Sequence, residues 1–203
     1  MPMIIDLYYE PIELDKIGVA RRQIAASIQL FFAFGDPVAA HTLACAGAQV
    51  VADLLAAKGL MSPFVGGDMV LRERRTEYIT HIRAAQNFFK HADRDHADVL
   101  TFKRAETEFM LLAACQDLRL LTGLVIPEAA AFELWFFSRH PDVLYDSNYK
   151  RSLIKFLEAN EGKAIPFSTV PSLIATFRNH IGAAIPLDPK DWEIAKAIYT
   201  KRR

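Results

Sequence analysis

The tripeptide Gly35-Asp36-Pro37 constrains this chain more than any other feature of its sequence. Upstream, Ile17, Ala20, Ile24, Ile28 and Phe31 recur at three- and four-residue spacing, the signature of a helix with one apolar stripe, over about Leu14 to Phe34. Glycine ends that helix. Aspartate then supplies a side-chain cap for the next, and proline fits its first turn, where no backbone N–H is needed. The second helix continues to about Lys58 and stops at Gly59. Two adjacent helices with apolar faces imply helix packed on helix.

The same punctuation continues downstream. "MSPFVGG" reads as a loop, followed by a helix from about Met69 to Lys90. Residues 91–104 are polar apart from "VLTF", a candidate short extended piece. A helix over about Glu106–Thr122 closes at Gly123, and its "FMLLAAC" is apolar all round, which predicts a central position. Pro127 opens a helix to about Arg139, ended by His140-Pro141. Weaker helices are expected near 148–159 and 170–182, and Asp188-Pro189 starts a last one. With strands almost absent, the expected fold class is all-α: a helical bundle core over 1–145 and a C-terminal helical extension over 146–203, packed on that core.

Charge narrows the function classes. Lys and Arg number 24 and Asp and Glu 24, so the basic excess of a non-specific nucleic-acid binder is missing. The N-terminus lacks a basic stretch and a cleavage site of secretory type, and no apolar run approaches the 18 or so residues that span a bilayer. Cys45 and Cys115 lie in apolar helical segments, which favours buried free thiols. The expectation is a cytoplasmic protein without a membrane partner.

Three constellations carry candidate chemistry. On the second helix, His41, Thr42, Cys45, Gln49 and Asp53 share one narrow polar stripe, which either lines a pocket or is one wet face. Arg21 falls on the apolar stripe of the first helix. It needs an anionic partner, a ligand or a buried carboxylate, unless its stem packs while the guanidinium stays in water. The third is "QNFFKHADRDH", Gln86 to His96. Arg83, Asn87 and His91 stack in a column there, Phe89 turns to the apolar face, and Asp93 and Asp95 follow. The reading is a corner in which Phe89 anchors the helix end while Asn87 and His91 face a polar cleft. His91, Asp93, Asp95 and His96 match no established metal spacing, so no metal and no cofactor is expected. Cys45 near His41 reads as an inert thiol rather than a nucleophile.

The stretches "ARRQIAASIQLFFAFGDPVAAHTLACAGAQVVADL", "AAQNFFKHADRD", "LTFKRAETEFMLLAACQDLRLLTG" and "AAAFELWFF" resemble an uncharacterised family of bacterial helical proteins over about residues 15–145, most specifically in "NFFKHADRD". More distantly, the chain is similar to HEPN domains, helical bundles found as toxin ribonucleases or nucleotide-binding helpers. Their motif places Arg, often followed by Asn, four to six residues before His. Asn87 and His91 match it, and Gln86 stands where the arginine belongs. Without that guanidinium the charge developing on phosphate loses its stabiliser, unless Arg83 or Arg21 substitutes. The resemblance therefore implies a degenerate binding or regulatory module for a small ligand, RNA or a protein partner. Its ligand-binding residues would be Arg21, His41, Gln49, Asn87, His91, Asp93 and Asp95. The alternatives are a metal-independent endoribonuclease with His91, Asn87 and Arg83 as catalytic candidates, and a dimerisation or scaffold protein, with a homodimer left open.

Overall fold

The computed structural model describes residues 12–62, 75–91, 93, 96–144 and 148–199. The fold is all-α. Its helices are α1 (Lys16–Ala33), α2 (Pro37–Ala57), α3 (Arg75–Lys90), α4 (Arg104–Thr122), α5 (Pro127–Arg139), α6 (Asn148–Ala159), α7 (Val170–Ile181) and α8 (Pro189–Tyr199). The cap signals act as read: Asp36 accepts from the Val38 and Ala39 amides at 2.9 and 3.2 Å, and Asp188 accepts from the Lys190 amide at 2.8 Å. Asp15 does the same for α1, accepting from Gly18 at 2.6 Å.

The antiparallel pair α1–α2 is the base of the bundle, with α4 against the other side of α2 and α5 and α7 closing over α1. Small residues set the α1–α2 spacing. A Cβ at Gly47 would lie 2.8 Å from Ile24 Cγ1 and 3.3 Å from the Ala20 carbonyl, so glycine is what lets the two backbones approach. The Ser27 hydroxyl donates to the Ala40 carbonyl at 2.5 Å, and that of Thr107 donates to the Pro37 carbonyl at 2.9 Å. Phe31, Phe32, Phe132, Trp135 and Phe167 interlock mostly edge to face. Phe167 is partly buried, and each of the other four, all buried, contributes about 1.5–3 kcal/mol.

Residues after 146 enter this core. Leu153, Ile165, Val170 and Ile174 are buried in the same cluster as the residues of α1 and α5, and Phe167 stands 5.5 Å from Phe31. A two-residue antiparallel ladder joins the halves: β1 (Leu124–Val125) pairs with β2 (Ile185–Pro186), Leu124 opposite Pro186.

Some expectations need correction. α2 is long and apolar enough, by length and composition, to cross a membrane. Its Ala and Gly residues count as apolar while serving close packing between α1 and α4, so an apolar run of that length does exist. The "VLTF" segment forms no strand, and Val99 is 94% exposed. α4 is central as expected from Leu111 to Cys115, but Phe109 is 54% exposed, with one ring contact to Phe136 of α5 at 5.5 Å. The start expected for α3, residues 69–74, lies outside the described residues.

Candidate functional site

The residues singled out in the sequence separate into three places. On α2 the stripe splits. His41 is 2% exposed, and among the described residues neither ring nitrogen has a hydrogen-bond partner. Phe89 and Phe102 meet it edge to face at 5.9 and 5.0 Å, and each other at 5.1 Å. Burial holds the imidazole pKa below its usual value, with Glu106 pulling the other way. One turn on, the buried Cys45 thiol is pushed up to about 12 by burial, opposed by Lys90, which makes it unreactive. Gln49 and Asp53 are exposed and satisfy each other at 2.8 Å. Thr42 donates to the Val38 carbonyl at 3.0 Å. The end of α3 covers His41 and leaves Gln49 and Asp53 in the open, so the stripe is divided between a buried and an exposed part.

The corner after α3 is half as read. Phe89 does anchor the helix end, through His41 and Phe102. Arg83, Asn87 and His91 are exposed, and the column they form lies on the side of α3 away from Phe89. The His91 amide closes the helix on the Asn87 carbonyl at 3.0 Å. Its ring stands 4.0 Å from the Asp93 carboxylate, both largely exposed, so the pair is worth little in water. Asp95 lies outside the described residues. Among the described residues, no three His, Cys, Asp or Glu side chains gather so as to hold a metal ion.

Arg21 belongs to a different place altogether. Six residues of helix, about 9 Å of rise, separate it from Ser27, whose hydroxyl reaches the Ala40 carbonyl next to His41. Arg21 is half-buried and donates one hydrogen bond, from Nη2 to the Ala183 carbonyl at 3.3 Å. Among the described residues it has no carboxylate partner, which leaves a ligand or a solvated guanidinium of the alternatives the sequence offered. It lines a cleft of about 930 Å³ between the start of α1, the start of α5 and the end of α7. Glu13, Asp15, Arg22, Glu128 and Arg178 line it as well. Glu128 is buried and takes the Arg178 guanidinium on one oxygen, from Nη2 and from Nε at 2.9 Å. Volumes of roughly 300–1,000 Å³ are usual for small-molecule sites.

Besides Glu128, two more buried acids escaped the sequence reading. Asp117 on α4 is fully buried; one oxygen accepts from the Ser62 hydroxyl, and among the described residues the other has no partner. Burial pushes its carboxyl up to about 7, against the pull of that hydrogen bond. Glu133 on α5 accepts from Arg119 and, at 3.0 Å, from Gln116; burial raises it too, and Arg119 opposes the shift. The signal was present in "AACQDLRLL" and "AAFELWFF", where single acids interrupt apolar runs. Compared with protein-family models, curated proteins and solved structures, the chain matches none.

Proposed function

We propose that the chain is a cytoplasmic binding or regulatory module, HEPN-like in plan but without the motif arginine, and that its ligand is a small molecule held in the α1–α5–α7 cleft. One observation carries the reading. Arg21 presents a guanidinium to a concave, partly apolar space while making, among the described residues, a single hydrogen bond of 3.3 Å. A guanidinium carries five N–H donors in a fixed fork, so most of Arg21's donor capacity faces the cleft. The corner from Gln86 to His96 takes a structural role here, through Phe89.

A thermal-shift screen of carboxylates, phosphates and amino acids against the wild type, Arg21→Ala and His91→Ala tests this. Stabilisation lost in Arg21→Ala and kept in His91→Ala is the expected result. The reverse pattern would return the site to the corner, and RNA cleavage that vanishes in His91→Ala would replace a binding module with a ribonuclease.

A further inference from the structure

We infer that the ligand of this cleft is a small zwitterion, an α-amino acid or a short peptide, with its carboxylate on Arg21 and its ammonium on Glu128. This rests on the cleft being the binding site and adds the chemical class. The charges around the cleft supply the argument. Three guanidiniums (Arg21, Arg22, Arg178) and three carboxylates (Glu13, Asp15, Glu128) line one space. A phosphate-rich ligand would gain from the first set and be repelled by the second, so a polyanion gains little there. A dipolar ligand meets both signs favourably.

Among the described residues, both anchors keep hydrogen-bonding atoms free. Asp15 spends one oxygen on the Gly18 amide that caps α1, and Arg178 spends Nε and Nη2 on Glu128 Oε1. Among the described residues, Arg21 Nε and Nη1 and Glu128 Oε2 have no hydrogen-bond partner. Arg178 grips Oε1 and so fixes the Glu128 carboxylate on buried backbone at the start of α5, with its second oxygen left as an acceptor. That acceptor suits an ammonium, which brings three donors and no acceptor. Leu14, Ala25, Ile126 and Pro127 supply apolar wall for a side chain of modest size.

The test is calorimetric titration of the wild-type protein with the common α-amino acids and a set of dipeptides. Acetate, methylammonium and inorganic phosphate serve as single-charge probes. The best binder is then repeated as its N-acetyl and its amide derivative, which remove one charge each without altering the protein. The inference expects a zwitterion to bind and each derivative to lose about tenfold or more, the usual worth of a hydrogen bond to a charged group. Arg21→Ala should abolish the carboxylate contribution and Glu128→Gln the ammonium contribution. If acetate or phosphate binds as well as any zwitterion and Arg21→Ala weakens it, the class is wrong while the cleft stands. Binding indifferent to Arg21→Ala overturns both, and a panel in which no zwitterion binds overturns the inference.

Discussion

Asp117 and His41 are buried with polar atoms unpartnered, and each ties stability to pH. The Asp117 carboxyl is raised to about 7, against about 3.9 in an unfolded chain. A raised pKa means the folded state holds the proton more tightly. Its contribution is therefore fully present below about pH 4 and is lost as pH rises through about 7. Asp117→Asn keeps an acceptor for Ser62 and removes the charge. It should stabilise the protein by roughly 2 kcal/mol more at pH 8 than at pH 5, read from urea midpoints; equal effects at both values would mean that Asp117 ionises freely in the fold. His41 works in the opposite direction. Its pKa is lowered by burial, so the folded state favours the neutral ring, and stability present above about pH 6.5 is lost as pH falls below it. His41→Phe should flatten the acid limb of the stability profile while retaining the contacts to Phe89 and Phe102; an unchanged slope between pH 6.5 and 5 would refute this. Arg21→Ala, with no carboxylate left stranded, should cost about 0.5 kcal/mol or less, and a loss several times larger would reveal a structural partner.

Between elements, the end of α4 carries a double requirement. Gly123 has φ 69° and donates to the Arg119 carbonyl at 2.8 Å, the left-handed cap that glycine adopts freely. It is also crowded: a Cβ there would meet the Trp192 ring at 2.9 Å. That ring belongs to α8, and its Nε1 donates to the Leu120 carbonyl at 2.9 Å. Gly123→Ala therefore combines backbone strain with displacement of α8 and should cost about 2 kcal/mol or more. Calorimetry gives the loss, and a shift in Trp fluorescence would show α8 leaving its seat. A variant with native melting temperature would mean that both the cap and the contact relax without cost.

For the molecule as a whole, the division into a core over 1–145 and an extension over 146–203 meets a shared interior. Phe167 stacks within the aromatic cluster of α1 and α5, Val170 and Ile174 are buried there, and Arg178 is the partner of buried Glu128. A chain ended after Leu144 would expose that cluster and remove α7, which packs on α5 and supplies the cation of Glu128. Such a fragment is expected to lack a cooperative thermal transition. If it melts cooperatively near the full-length temperature, α6 to α8 are an accessory layer.

Helix positions were legible in the sequence because their signals are local. The caps at Asp36 and Asp188, the stop at Gly123 and the stripe from Ala20 to Phe31 act through neighbours a few residues away. Each lies where spacing placed it. The role of Phe89 was legible for the same reason, since helical period sets which side it takes. What period cannot give is the neighbour across the gap. His41 and Gln49 lie on one stripe, yet α3 covers the first and water reaches the second. Arg21 sits on an apolar stripe but opens into a cleft, because the start of α5 and the end of α7 stop short of sealing it. The charge of Glu128 is answered by Arg178, 50 residues away. The sequence determined which segments are helical and which faces are apolar, through contacts within a turn or two. Which polar groups are buried, paired or left facing a cleft was decided only by how the helices pack, because those energies depend on partners that the chain brings together from afar.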